Sequence, residues 1–509
     1  MVESMVEREL KFEVGPDVVI PDLSSFAPEG GSVETAVERL RSDYFDTADH
    51  ALLKAHITLR RRTGTTDTGW HLKIPHPPFR EELRTELTDD STVPAELQSL
   101  LLGVLRGQPL TQIASVRTQR SATRLLDADG HRLAEIADDL VHASSGGEAA
   151  TASSWREVEV EVAEDGLELL DSIGKRLRKA GAQPAASTSK LARALSEETP
   201  APATTAKPGK QNPKPNGKKA KKASKAPTAT AGEVVARYLA EQQQALVAGD
   251  IALRRADANV IHKTRVATRR LRSTLRVYGS LFDADRAAGL DGELRWYAAV
   301  LGEVRDRQVQ RKRLDAMLDN LDETLQLGSV RARVHNELDR EQREHWQILQ
   351  HELTRPRYLA LLADVDAFVS RPPWTDAAGQ PAQAMGKLLA QAEKRVSRRL
   401  DRANAAEDIE LLHGARKAAK RARYAAEAAE PVIGPEAAAG HAERYRQLQD
   451  LLGEHQDSLV TADLLRRLGA QAGTTPGENG FAFGVLYERE AQAAATARAE
   501  ARRVARTYR

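Results

Sequence analysis

Polar and apolar residues alternate with a period of two through the first 160 or so positions of the chain. VERELKFEV from Val6, ITLRRRTG from Ile57, WHLKI from Trp70, REELRTEL from Arg80, HRLAEIADD from His131 and WREVEVEV from Trp155 all follow it. Gly64, Asp129-Gly130 and Gly146-Gly147 punctuate these runs. The pattern predicts seven or eight strands and a few short helices, an α+β unit built on a strongly curved antiparallel sheet. One face of the strands is charged. It carries Glu7, Glu9, Lys11 and Glu13 on the first strand, Arg60 and Arg62 on another, and Glu157, Glu159 and Glu161 near the end. A solvated outer face would explain any single strand. Carboxylate rows and guanidinium rows recurring on most strands point instead to a barrel with a charged lumen.

Beyond residue 232 the apolar spacing changes to about 3.6 and Ala, Leu, Glu and Arg dominate, so the second half is predicted all-helical. Breaks are expected near Gly289 to Gly292, at Arg371-Pro372-Pro373, at Gly434-Pro435 and from Thr474 to Gly480. This half is duplicated. HKTRVATRRLR from His262 and HGARKAAKRAR from His413 share the pattern His-x-x-Arg-x-x-x-Arg/Lys-x-x-Arg, and LGEVRD and LGEHQD follow at the same offset of 151 residues. Arg295 and Arg446 also match at that offset. Two motifs with one offset mark an internal repeat, about 233–383 and 384–509.

The repeat has a chemical consequence. On a helix, offsets 0, 3, 7 and 10 fall within an arc of about 80°. His262, Arg265, Arg269 and Arg272 thus form one stripe, extended by Arg276, and His413, Arg416, Lys420 and Arg423 form the other. Like charges at this spacing repel, so the stripes are predicted to bind anions. Guanidinium groups suit phosphate, and the histidines would add charge as pH falls. Few aromatics lie near the stripes and no groove-reading signature is present, which disfavours nucleic acid and favours a linear polyanion without bases. Gly302 and Gly453 are expected to permit close helix crossing. Asp306 and Asp457 are expected either to orient stripe arginines or to be ordinary surface charge.

Charge divides the chain in three. Residues 1–198 carry 23 Lys/Arg against 34 Asp/Glu, residues 199–232 carry eight lysines and no acid, and the whole chain is +2. The middle segment holds Pro, Ala, Gly, Thr and Lys without a large apolar residue, so it is predicted to be a disordered linker. No apolar run is long enough to span a membrane, the chain alternates from its first residues without a leader, and cysteine is absent. A cytoplasmic protein is expected.

Residues 1–198 resemble the CYTH domain of the triphosphate tunnel metalloenzymes. The resemblance rests on Glu7-x-Glu9-x-Lys11 and, in order, YFDT (Tyr44 to Thr47), LRRR (Leu59 to Arg62), HLK ending at Lys73 and SKLARAL from Ser189. Residues 233–509 resemble the CHAD domain, a duplicated helical module associated with inorganic polyphosphate, and the two in this order resemble bacterial inorganic triphosphatases. The resemblance implies an eight-stranded antiparallel tunnel barrel in front of a duplicated helical bundle. It implies that Lys11, Arg60, Arg62, Lys73, Arg80, Arg120 and Lys190, with Arg124 as a further candidate, hold phosphate oxygens. Glu7, Glu9, Glu157, Glu159 and Glu161 would hold one or two Mg²⁺ or Mn²⁺ ions, hard cations that prefer carboxylate oxygen. An acidic residue is expected on the EIADD strand, where alternation from Glu135 selects Asp139 over Asp138. Glu7, Glu9, Lys11, Glu157 and Glu159 are the expected catalytic set. His71 is expected to be a satisfied surface histidine, and which residues of Arg80, Glu82, Arg84 and Glu86 line the lumen stays open. The acid excess of this half implies that a polyanion enters only with metal.

Three functions follow as alternatives. The first is a metal-dependent inorganic triphosphatase whose helical module binds polyphosphate, with association with polyphosphate granules in the cytoplasm. The second keeps the tunnel but changes the substrate to ATP, cyclised to cyclic AMP, or thiamine triphosphate; few aromatics are available for an organic pocket. The third is a non-catalytic polyphosphate-binding adaptor that targets granules, against which the intact carboxylate pairs argue.

Overall fold

The computed structural model describes residues 3–76, 79–88, 92–146, 151–164, 166–187, 189–195, 229–406 and 408–508. The chain divides into two compact units between residues 220 and 221. Most of the predicted linker, residues 199–228, lies outside the described residues. Its last residues do not belong to a linker. Thr230 caps a helix that starts at Ala231, accepting from the Glu233 amide at 3.2 Å while the Glu233 carboxylate accepts from the Thr230 amide at 2.8 Å. Gly232 packs against Ala378, where an added Cβ would come within 3.2 Å. The capping box and this contact move the start of the helical unit ahead of the predicted boundary at 233.

The first unit is built on nine strands: β1 (Glu3–Glu13), β2 (Ser32–Asp46), β3 (Thr58–Gly64), β4 (Gly69–His76), β5 (Phe79–Thr85), β6 (Thr111–Leu126), β7 (Arg132–Ser145), β8 (Thr151–Val162) and β9 (Gln183–Pro184). The order β5-β4-β3-β2-β6-β7-β8-β1 closes through a β5–β1 pairing, and the short β9 adds to β1. All pairings are antiparallel. The expected eight-stranded barrel is present. Its helices are α1 (Ala51–Lys54), α2 (Ala95–Leu100), α3 (Leu102–Leu105), α4 (Leu167–Lys179) and α5 (Lys190–Leu195).

This barrel inverts the usual arrangement of a small closed sheet. Phe12, Ile136, Val158, Val160 and Val162 point outward and are buried beneath Leu170, Ile173 and Leu177 of α4. Period-two alternation then leaves the charged residues facing in. At one end the interior turns apolar: Tyr44, Val116, Val141 and Trp155 pack with Leu191 and Ala194 of α5, which stops that end of the barrel.

The second unit is helical throughout: α6 (Ala231–Arg254), α7 (Val260–Val277), α8 (Ala284–Asp319), α9 (Val330–Glu352), α10 (Pro356–Ser370), α11 (Ala384–Ala406), α12 (Ile409–Ile433), α13 (Pro435–Glu443), α14 (Arg446–Thr474) and α15 (Phe481–Thr507). The break expected at Gly289 to Gly292 does not occur. Each glycine costs about 1 kcal/mol in a helix, but Asp283 caps α8 and Leu290, Leu294 and Tyr297 bury one continuous face across the pair. The other three predicted breaks fall between helices. The duplication is visible as α6–α7–α8 against α11–α12–α13/α14, with α7 packed directly on α12. No helix among the described residues is long and apolar enough to cross a membrane.

Candidate functional site

Register determines which side chains meet inside the barrel, because directly opposed residues share a face. Glu7 stands opposite Arg80, Lys11 opposite Glu159, and Glu9 opposite Glu161. Tyr44, Arg60 and His71 form a row across β2, β3 and β4, Lys73 opposes Glu82, and Arg120 opposes both Glu38 and Asp139. The result is a cavity of about 290 Å³ walled by Glu7, Glu9, Lys11, Arg60, Arg62 and Lys73 together with Arg80, Arg120, Glu159, Glu161 and Lys190. Asp139 is fully buried and held by Arg120 through two 2.8 Å bonds, while Asp138 pairs with Arg156 elsewhere. Of the two, Asp139 is the one on the inward face, as alternation from Glu135 implies.

The expected sign of this site needs correction. The unit is acidic, yet ten lysines and arginines against seven carboxylates line the cavity. Glu82, Asp139 and Glu157 behind them bring the balance close to neutrality. Unit charge was a poor guide because many acids lie on the outer surface and in loops.

Pairing sets the protonation of each group. Burial pushes Glu7 up, and Lys73 at 2.7 Å only partly offsets it. Burial also opposes ionisation of Glu159, but Lys11, Lys190 and Arg120 outweigh it and hold that carboxyl well below the usual range. Glu9 is lowered against its burial by Lys11 and Lys73. Burial raises Glu161, whose nearest cation is Arg132 at 3.5 Å.

The sequence did not disclose the hub of one wall. Glu82 is 0 % exposed and accepts from Arg60 at 3.2 Å, from Arg84 at 2.6 Å and from His71 at 3.1 Å, with Lys73 at 3.7 Å. His71 is therefore a buried histidine, 1 % exposed, and not a surface one; its other nitrogen meets the Asp67 carbonyl at 3.1 Å. Arg80 and Arg84 line the cavity, Glu82 sits behind it, and Glu86 is exposed. Glu38, Glu135 and Arg132 were also missed; Arg124 is bound by Glu38 and by Glu135, the latter at 2.8 Å.

Two carboxylate groups have the chemistry to hold a divalent cation. Glu9 and Glu161 oppose one another across β1 and β8, an arrangement that repels without a cation, and Glu7 Oε2 is buried with no hydrogen-bond partner among the described residues. Asp139, Glu157 and Glu159 bring oxygens within 4.8 Å of one another. The ammonium of Lys190 already contacts all three, at 2.9, 2.6 and 2.8 Å.

In the helical unit the two basic stripes face each other. Lys420 is drawn down to about 8 by burial and by Arg416, Arg269, Arg423 and Arg265, charges from both α7 and α12. Burial and then Arg265 lower Arg269. Gly302 and Gly453 serve the arginines: an added Cβ would stand 3.3 Å from Arg265 Nη2 and 2.9 Å from Arg416 Nη2. Close approach is the reason for both glycines, but it is a guanidinium that approaches. Asp306 accepts from Arg265 at 2.8 Å, and Arg416 Nε donates to the Gln449 carbonyl at 3.0 Å.

The stripe on α7 does not stay whole. Arg272 and Arg276 both bind Asp291 of α8, at 3.0 and 2.6 Å. Arg295 and Arg446 are exposed, and Arg446 pairs with Glu443 at 2.9 Å. The histidines differ as well. His262 is exposed, whereas His413 is buried against His455 at 3.3 Å. Burial lowers both, followed by Arg305 at His262 and by His455 at His413, so they gain charge only below the ordinary histidine range.

Both units match known domain families. The CYTH domain matches residues 5–195 and the CHAD domain matches residues 237–466. Two Mycobacterium tuberculosis proteins, the uncharacterized proteins Rv2226 and MT2285, are each 35% identical over 511 residues, covering 96% of this chain and 93% of theirs. Among solved structures, PptA from Streptomyces chartreusis is 22% identical with a TM-score of 0.46, covering 55% of this chain and 100% of its own. The CHAD domain from the plant Ricinus communis is 24% identical with a TM-score of 0.42, covering 52% of this chain and 88% of its own. The chain belongs to the CYTH–CHAD family, a triphosphate-tunnel domain joined to a CHAD domain.

Proposed function

We propose that the barrel hydrolyses inorganic triphosphate with Mg²⁺ or Mn²⁺ and that the helical unit binds inorganic polyphosphate. The observation that carries the first half is the lumen itself: ten cationic side chains interleaved with carboxylates, one of which, Glu7, keeps a buried oxygen without a hydrogen-bond partner among the described residues. Lys11, Arg60, Arg62, Lys73, Arg80, Arg120 and Lys190 would bind phosphate oxygens, and their fixed positions orient the chain along the barrel. These cations are already paired with protein carboxylates, so an incoming polyanion must displace acids or arrive with its own cations. Glu7, Glu9 and Glu161 would hold one ion; Asp139, Glu157 and Glu159 are the second group, shared with Lys190. A bound divalent ion supplies charge neutralisation and activation of water. Water oxygen adds to the terminal phosphorus as the bridging P–O bond breaks, giving orthophosphate and pyrophosphate.

Tyr44 is the one aromatic residue lining the cavity among the described residues. A nucleobase or thiazole ring would find no stacking wall, which favours the inorganic substrate over ATP or thiamine triphosphate. The second half rests on Arg265, Arg269, Arg416, Lys420 and Arg423, a concentration of charge that, together with burial, depresses both Lys420 and Arg269.

Phosphate release is measured on tripolyphosphate, long polyphosphate, ATP and thiamine triphosphate, with Mg²⁺, with Mn²⁺ and with chelator. Glu7→Ala or Glu9→Ala lowers turnover of tripolyphosphate by about 100-fold or more and leaves polyphosphate binding by the helical unit intact. Unchanged turnover in both variants would sink the assignment.

A further inference from the structure

The duplication makes each position of one repeat a control for its counterpart 151 residues away, and at one place the two differ in charge. In the first repeat Arg270 of α7 donates to Glu427 of α12 at 2.9 Å. The counterparts of that pair are Arg421 of α12 and Arg276 of α7. A salt bridge in one half has become two facing arginines in the other. The neighbouring helix has changed with it. On these two helices the buried faces align at an offset one residue shorter, Val235, Leu239, Leu246 and Leu253 against Met385, Leu389, Val396 and Ala403, so Arg395, Arg398, Arg399 and Arg402 of α11 stand where α6 has Ala245, Ala248, Gly249 and Ala252. None of those four positions on α6 carries a charge, whereas all four arginines of α11 are exposed.

These six arginines surround a cavity of about 230 Å³ between the end of α7, α11 and α12, floored by Ala392 and Ala418. Asp291 engages Arg276, and Arg399 donates to the Gly414 carbonyl at 3.0 Å. Arg395, Arg398, Arg402 and Arg421 have no ion pair among the described residues. Half-buried Arg421 is pulled below its ordinary value by burial and then by Arg276 and Arg399. Elsewhere the same helix uses acids normally: Glu393 binds His441 at 2.7 Å and approaches Arg444 at 3.7 Å. Uncompensated repulsion confined to one concave place is what a multiply charged anion would relieve.

We infer that the cleft between α7, α11 and α12 is a second anion subsite, with no arginine-lined counterpart at the equivalent place between α12, α6 and α7, that engages a phosphate chain extending beyond the facing stripes. Its ligand class is inorganic polyphosphate, so it rests in part on the binding proposed above. Asp291, which ties Arg272 to Arg276, divides the two cationic groups and makes them separable by mutation.

The test uses the full chain carrying Glu7→Ala, so that the ligand stays intact, with short and long inorganic polyphosphate across a range of salt. The triple variant Arg395→Gln/Arg398→Gln/Arg402→Gln is expected to lose about tenfold or more in affinity for the long chain and to flatten its salt slope by about 2–3. Affinity for the short chain is expected to stay within about twofold. A control variant, Arg343→Gln/Arg466→Gln/Arg489→Gln, removes three exposed arginines near a different core cluster. Arg416→Gln/Lys420→Gln separates the two proposals. If that pair leaves long-chain affinity unchanged while the triple variant lowers it, the stripe reading fails and the second subsite stands. The subsite is overturned if the triple variant binds long polyphosphate like the parent, or if the control weakens binding as much.

Discussion

Lys420 is the residue whose chemistry differs most from what its neighbours in sequence announce. Spacing alone placed it on a stripe with His413, Arg416 and Arg423. It could not show that Arg265 and Arg269 of a helix about 150 residues earlier would face it, because that depends on how α7 packs on α12. The packing has a titration consequence. Burial and four guanidinium groups bring Lys420 down to about 8, with Asp306 and Asp457 bearing on the arginines around it. A bound polyanion favours the charged amine and so raises its pKa in the complex. Affinity for long polyphosphate is therefore steady below pH 8 and falls as pH rises from about 8 toward the raised value in the complex. The expected loss is up to about tenfold, the equivalent of one charged hydrogen bond of about 1.4 kcal/mol. Lys420→Arg stays charged and flattens the profile between pH 7 and 9.5. Parallel profiles for parent and variant would remove Lys420 from the binding surface. The histidines were legible as residues but not as charges: burial first, and then neighbouring cationic and imidazole groups, oppose their protonation.

Among the elements, the strands were the more legible half of the chain. Period-two alternation assigned Glu7, Glu9, Lys11, Arg60, Arg62, Glu157 and Glu159 to one face without any knowledge of pairing, and the barrel closes with that face inward. Register was not legible, and it carries the rest. In REELRTEL the lumen set depends on β5 meeting both β4 and β1, so the hub at Glu82 stayed hidden. That hub joins β3, β4 and β5 through Arg60, His71, Lys73 and Arg84. Glu82→Ala strands these donors in a buried wall, and removal of one partner from such a network costs about 3–5 kcal/mol. Glu86→Ala on the exposed end of the same segment changes stability by less than about 0.5 kcal/mol. Denaturant unfolding of the two variants makes the comparison; equal midpoints would show that the hub adds nothing to the barrel. In the helices, Gly289 and Gly292 misled as breaks because local propensity yields to a continuous buried face.

At the scale of the whole molecule, each unit has apolar clusters of its own. The barrel's apolar clusters are drawn from residues 10–195 and those of the helical unit from residues beyond 230. Fragments 1–195 and 229–509 are expected to fold separately, the first retaining full triphosphatase activity and the second full polyphosphate affinity. The intervening segment, read from its composition as an unfolded tether, makes the covalent link testable on its own. Some 33 residues of such a chain have an r.m.s. span of roughly 30 Å, which corresponds to an effective concentration in the millimolar range. A chain captured by the helical unit would then meet the tunnel far more often than free substrate at low concentration does. With long polyphosphate below saturation, the intact protein should release phosphate faster than an equimolar mixture of the fragments. With triphosphate, too short to engage both units, the intact protein and the mixture should be equal. Equal rates on both substrates would mean that each unit works alone. Inactivity of the first fragment on triphosphate would mean that the tunnel needs the helical unit for more than capture.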